Sequence, residues 1–157
     1  MPSITPFLWF NDKAEEAMNF YVSVFKNSKV VSVSRYGEAG PGPKGSVMVA
    51  QFQVLGQDFL ALNGGPQFTF TPAISFVVNC ETQHEVDELW DKLSAGGATQ
   101  QCGWLQDKYG LSWQIVPTLL GRLMKDKDAE KSSRVMKAML QMTKLDSRVL
   151  QEAYDGA

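Results

Sequence analysis

Two stretches of this chain carry the same succession of hydrophobic patterns, and a fold that ignores the repetition would leave one of them unexplained. Phe20-Tyr21 aligns with Leu89-Trp90 at an offset of 69 residues, which also sets Ala17 over Val86 and Val24 over Leu93. The strand-like runs ahead of them align at 67, Phe7 over Ile74, and the difference is absorbed where each helix begins. Each copy reads strand, helix, strand, strand, strand.

In the first copy, Ile4 to Phe10 reads as a strand with Pro6, Leu8 and Phe10 on one face and Phe7 and Trp9 on the other. Asp12 reads as the N-cap of an amphipathic helix over 13–26, followed by strands at Val30 to Tyr36, Val47 to Leu55 and Asp58 to Asn63. Gly56-Gln57 signals a hairpin between the last two. The loop from Gly37 to Gly45 is rich in glycine, but Pro41 and Pro43 lack the amide protons of a phosphate cradle and no helix follows. An ordinary flexible loop, or a lid, is the reading left. In the second copy, Ile74 to Asn79 is a strand and Thr82 with Glu85 a capping box. A helix ended by Gly96-Gly97 follows, then a short strand near 98–101 and a hairpin from Cys102 to Pro117. Alternation sets Cys102, Trp104 and Gln106 on one face of that hairpin's first strand, and Ser112, Gln114 and Val116 on one face of its second. Asp107 to Gly110 is the turn, Asp bonding to backbone two residues on and Gly supplying a positive φ. Beyond Pro117, three apolar stripes, one of them rich in methionine, predict a helical tail that packs as core or subunit interface, or else closes over a pocket.

With 157 residues, 44% of them hydrophobic, the chain is expected to be one domain. A chain of that size buries about 70% of its unfolded surface without staples. The modules run about 1–66 and 72–117, with the tail at 118–157. A net charge of -2 argues against nucleic acid as a partner. Met1 to Ser3 does not begin a signal peptide and no apolar run reaches the ~20 residues of a membrane span, so a cytoplasmic protein with no membrane partner is expected. Cys80 and Cys102 fit neither a zinc spacing nor a disulfide framework; both read as reduced packing residues, with a reactive pocket thiol at Cys102 as the alternative.

The hairpin pattern Cys-x-Trp-x-x-Asp-x-Tyr-Gly-x-x-Trp-Gln-Ile resembles the last hairpin of the PhnB-like, or demethylubiquinone methyltransferase-like, domain of the vicinal oxygen chelate superfamily. That superfamily includes glyoxalases, extradiol dioxygenases and bleomycin resistance proteins. Ile4 to Phe25 and the tail from Arg134 to Tyr154 are similar to the same branch, so the likeness spans nearly the whole chain. It implies an α+β fold of paired βαβββ modules forming a curved mixed β-sheet with helices outside. It also implies a homodimer in which two chains complete each other's concave sites.

Metal-using members of the superfamily bind a divalent ion through His or Glu on the concave strands, where three or four donors must converge. The matching positions here are Pro6, Ala73 and Gln114, with Phe59, Ala61 and Asn63 as the inward face of the fourth strand. No metal and no other cofactor is expected. His84, the sole histidine, reads as an exposed residue of a helix start, which also leaves a Ser-His-Asp triad without support. The strand-to-helix junctions, Asn11-Asp12 and Cys80 to Thr82, lack the glycine-rich turn that holds a methyltransferase or nucleotide cofactor. What remains is a pocket lined by Phe10, Asn63, Asn79, Trp104 and Gln114, with Arg35 or Gln51 nearby, suited to a small, partly apolar ligand. Completion of the core is the alternative reading for Trp104 and Gln114, while Trp9 and Trp113 face the helices and Asp107, Tyr109 and Gly110 form the turn. The function expected is small-molecule binding without a metal. A lyase, isomerase or oxygenase and a purely structural module are the alternatives.

Overall fold

A computed structural model describes residues 1–156 and divides into two compact units, one from Met1 to Phe70 and one from Thr71 onward. Each holds a four-stranded mixed sheet of the same topology. The first contains β1 (Phe7–Phe10), α1 (Ala14–Val24), β2 (Lys29–Arg35), β3 (Val47–Val54) and β4 (Gln57–Asn63), with strand order β1-β4-β3-β2. The second contains β5 (Ser75–Cys80), α2 (Gln83–Ser94), β6 (Ala98–Thr99), β7 (Trp104–Gln106) and β8 (Ser112–Pro117), with order β5-β8-β7-β6. In both, the first strand runs parallel to the fourth and the remaining neighbours are antiparallel. The fold is thus the α+β, βαβββ repeat expected. Among the described residues no helix is long and apolar enough to cross a membrane.

In the first unit α1 buries Ala14, Ala17, Met18, Tyr21 and Val24. Tyr21 stacks on Phe52 at 6.2 Å between centroids, and Phe52 on Phe59 at 5.5 Å. Because Leu8 lies beside Ala61 and Phe10 beside Asn63, these four share the covered face with Phe59. This reverses the parity read from the sequence, which placed Phe10 towards a pocket and Trp9 towards the helix. Trp9 is on the uncovered face beside Leu62, its indole N–H donating to the Gly65 carbonyl at 2.9 Å. Alternation defines two faces but not which one a helix covers, and one step of phase moves every side chain to the other side.

The start of α1 also differs from expectation. Lys13, not Asp12, occupies the cap position and gives no side-chain bond. The Ala14 N–H is taken instead by Asn63 Oδ1 at 2.8 Å, while Asn63 Nδ2 donates to the Val47 carbonyl at 3.1 Å. One amide at the end of β4 therefore satisfies a helix-terminal donor that no neighbouring residue reaches. The turn between β3 and β4 is Leu55-Gly56, both at positive φ (51° and 80°), one residue earlier than the sequence signal.

In the second unit the capping box of α2 forms as predicted, Thr82 Oγ1 accepting from the Glu85 N–H at 3.2 Å and Glu85 Oε1 accepting from the Thr82 N–H at 2.9 Å. Val78, Leu105, Trp113 and Ile115 are buried on the face where α2 packs with Val86, Trp90 and Leu93. Asp107 organises the hairpin turn: its carboxylate accepts from the backbone N–H groups of Tyr109 (2.8 Å) and Leu111 (3.1 Å) and from Trp113 Nε1 (2.9 Å).

Cys102 is not in the strand. It lies in a 3-10 turn, Gln101–Gly103, with φ 61°, and the N–H groups of Cys102 and Gly103 donate to the carbonyls of Met142 and Thr143, each at 2.8 Å. The tail forms α3 (Thr118–Met124), α4 (Ala129–Leu140) and α5 (Ser147–Asp155) around Leu123, Val135 and Leu150, with Met124, Met139 and Met142 packed against them. Gln83 fastens it to α2, donating to the Leu145 carbonyl at 2.9 Å and accepting from the Ser147 N–H at 2.8 Å. Most of the methionine stripe is therefore core of the tail; Met136 and Leu140 stay exposed.

Candidate functional site

Strand register decides which side chains a ligand can meet. On the second sheet, Trp104 is paired directly with Gln114, Gln114 lies beside Val77, and Asn79 beside Val116. These residues share the face that α2 does not cover. Asn79 is exposed, Val77 is 50% exposed, and Trp104 and Gln114 are half-buried. The structure thus brings together three of the expected site residues, Asn79, Trp104 and Gln114.

The polar capacity of that face is only partly used. Gln114 Nε2 donates to Ser75 Oγ at 3.0 Å, a partner the sequence reading did not include. Neither Gln114 Oε1 nor the Trp104 indole N–H has a partner among the described residues. A ring surface, a free carbonyl acceptor and a free N–H donor therefore stand on neighbouring strands. Ser112, two residues before Gln114 and on the same face, is fully buried and its hydroxyl is unpartnered. Trp113, of opposite parity, is buried as expected.

The other two expected residues lie in the first unit and on its helix-covered face. Phe10 is 4% exposed and meets Phe70 edge-on, with ring centroids 5.2 Å apart. The Asn63 carboxamide is committed to Ala14 and Val47, and its backbone carbonyl accepts from the Tyr36 hydroxyl at 2.5 Å. The face α1 leaves open carries Phe7, Trp9, Leu60, Leu62 and Gln51 instead. The exposed Phe7 and half-buried Trp9 were missed as candidates; the pairing of β1 with β4, rather than alternation within β1, is the signal that finds them. Arg35 is drawn to Glu15 at 3.4 Å and to the Gly45 carbonyl at 3.2 Å.

The donor chemistry for a metal or cofactor can be tested on these residues. Pro6 and Ala73 present no side-chain donor atom, and Gln114, whose Nε2 is engaged with Ser75, offers only a single neutral carboxamide oxygen. His84 stands on the outer surface of α2, its side chain 87% exposed and 3.5 Å from Glu88. Among the described residues no three His, Cys, Asp or Glu side chains converge. At the strand-to-helix junctions, the Ala14 N–H meets Asn63 and the capping box closes the start of α2. These residues fit neither a divalent ion nor an anionic cofactor bound at a helix start. Both cysteines are free; burial pushes the Cys80 thiol up to about 11, with Glu85 adding to the shift, and Cys102 is half-buried.

Comparison with known proteins agrees with this architecture. The family model described as 3-demethylubiquinone-9 3-methyltransferase matches residues 2–116. The match ends at β8, so the helical tail lies beyond it and the likeness is narrower than the whole chain. A PhnB protein of Bacillus cereus, described as a candidate 3-demethylubiquinone-9 3-methyltransferase, is 47% identical, with 74% of this chain and 99% of that one covered and a TM-score of 0.69. A Pseudomonas aeruginosa protein at 22% identity (74% and 98% covered, TM-score 0.63) shares the fold. So does a fosfomycin resistance protein of Listeria monocytogenes at 17% (80% and 98% covered, TM-score 0.56). No curated protein matches the chain. The repeated βαβββ topology, the hairpin and these matches together make the chain a member of the PhnB-like, 3-demethylubiquinone-9 3-methyltransferase family.

Proposed function

We propose that the chain binds a small, partly apolar molecule on the uncovered face of the second sheet, without a metal ion. The observation that carries this is the Trp104–Gln114 pair, an accessible indole beside a carboxamide whose carbonyl is unpartnered. Val77 extends the apolar surface and Asn79 adds an exposed amide. Such a surface suits a hydroxylated aromatic compound: the ring stacks on the indole and the hydroxyl donates to Gln114 Oε1. Pro6 and Ala73, which carry no side-chain donor, and the lack of three converging His, Cys, Asp or Glu side chains among the described residues favour binding without metal.

The methyl transfer in the family's description finds no support in residues that would hold a methyl donor, so binding is the preferred reading over catalysis. The test is titration with hydroquinone, followed by chromatography of the recovered compound. Saturable binding of unchanged hydroquinone, weakened at least about tenfold by Trp104→Ala or Gln114→Leu, is expected. Conversion of the compound, or activity that tracks a stoichiometric metal and disappears on chelation, would replace this reading with an enzymatic one. Native mass spectrometry of the same sample tests the homodimer, which the superfamily likeness favours.

A further inference from the structure

The loop between β2 and β3 builds a recess within the first unit. A cleft of about 330 Å³ lies between Pro41 to Pro43 on one side and the Asn11-Asp12 and Gly64-Gly65 turns on the other. Its size falls at the low end for small-ligand sites.

The cleft is held open by a fixed wall. Tyr36 donates its hydroxyl to the Asn63 carbonyl, its N–H bonds the Ser46 carbonyl at 2.8 Å, and its carbonyl accepts from the Gly45 N–H at 2.8 Å. The loop presses onto the ring so closely that a Cβ at Gly42 would stand 2.3 Å from a ring carbon and one at Gly40 2.8 Å. The glycines thus serve close approach to an aromatic ring, which gives the loop a defined shape.

Charge and hydrogen-bonding capacity then select the ligand. Pro41 and Pro43 have no N–H. The N–H groups of Gly64, Gly65 and Ser46 are committed to the carbonyls of Phe10, Asn11 and Pro43. No lysine or arginine lines the cleft, and the three that adjoin lining residues in the chain are answered by carboxylates, Lys13 by Glu16 at 4.0 Å, Arg35 by Glu15 at 3.4 Å and Lys44 by Glu38 at 2.8 Å. An anion would find little to bind. Asp12 and Asn11, by contrast, are exposed and their side chains make no bond among the described residues. Having no part in capping α1, the Asp12 carboxylate is an unanswered negative charge at the mouth of an apolar-walled recess.

We propose that this cleft is a binding site for a small organic cation with a hydrogen-bonding group next to its ammonium, an amino alcohol being the simplest case. The ammonium is held by Asp12, the hydroxyl by Asn11, and the carbon chain by Pro41, Pro43 and the edge of Tyr36.

The experiment is an amide-resolved NMR titration of the full chain with ethanolamine. Inorganic phosphate serves as the anionic control and ethylene glycol as the uncharged one. Saturable shifts centred on Gly42, Gly64 and Gly65 are expected with ethanolamine alone. Asp12→Asn should weaken binding about tenfold, as loss of a charge-assisted hydrogen bond does. Asp12→Glu, which keeps the charge, should retain most of it and serves if the first variant folds poorly. Gln114→Leu should leave it unchanged, which separates this site from the sheet face. Non-saturable shifts, equal binding by Asp12→Asn, or saturable binding of phosphate would each overturn the proposal.

Discussion

Replacing Asn63 with alanine separates a structural amide from a ligand contact. The side chain accepts from Ala14 at 2.8 Å and donates to Val47 at 3.1 Å. Lys13 provides no alternative cap, so the first result of the substitution is an unsatisfied helix-terminal N–H, a loss of about 1 kcal/mol in the manner of a missing N-cap. The second is an abandoned carbonyl on the buried Val47, about another 1 kcal/mol. Asn63→Ala should therefore destabilise the fold by about 2 kcal/mol, which at a urea slope of about 2 kcal/mol/M lowers the unfolding midpoint by about 1 M. Asn63→Asp keeps an acceptor where the helix dipole favours negative charge but turns an oxygen towards the Val47 carbonyl, so it should lie between wild type and alanine. Hydrogen exchange should quicken first at the start of α1. Were Asn63→Ala to unfold within about 0.5 kcal/mol of wild type, the cross-sheet cap would be wrong and a ligand role for Asn63 would regain its place.

The other predictions concern the second unit. Ser112 carries a buried hydroxyl with no partner, so Ser112→Ala should leave stability unchanged or raise it by about 1 kcal/mol; a clear loss in thermal unfolding would reveal a hidden partner. At Gly97 a Cβ would lie 2.1 Å from the Gln106 carbonyl oxygen and 2.7 Å from the Asp107 carbonyl carbon, both backbone, and Gly97→Ala should cost about 3 kcal/mol or more in urea unfolding. The hydrogen bond from Lys144, then that from Gln83, lowers the Asp87 carboxyl below its usual 3.8. Its contribution is present above that value and is lost as pH falls through the lower folded one. With a side chain 45% exposed, the effect stays below about 1 kcal/mol; it should appear as acid sensitivity of tail docking that Asp87→Asn lacks, read from unfolding midpoints at pH 7 and 3.

What was legible in the sequence was local. The apolar stripes of the helices, the hairpin turn at Asp107 and the Thr82–Glu85 box depend on residues within a few positions of one another and formed as read, whereas the Asp12 cap of α1 did not. Features closed by distant partners were hidden. The cap on Ala14 comes from 49 residues away. Cys102 leaves the strand because its N–H, and that of Gly103, meet carbonyls of a tail no alternation rule connects to them. The site divided the same way. Asn79, Trp104 and Gln114 share a face because the hairpin register places them there, whereas Phe10 and Asn63 depended on knowing which face of the first sheet α1 covers.

The two units share a topology but close their helix starts by different devices, and that difference separates what each can do. In the first, Asn63 joins α1 to β4 and also receives the Tyr36 hydroxyl that fixes the Gly-Pro loop, so helix entry, strand end and cleft wall form one assembly. A substitution at Asn63 should therefore disturb the cleft even if it touches no ligand. In the second, the capping box is self-contained and Gln83, next to it, secures the tail. The uncovered face of the second sheet is left with no part in closing the helix, so substitutions at Trp104 and Gln114 should leave the helix start and the tail fixed.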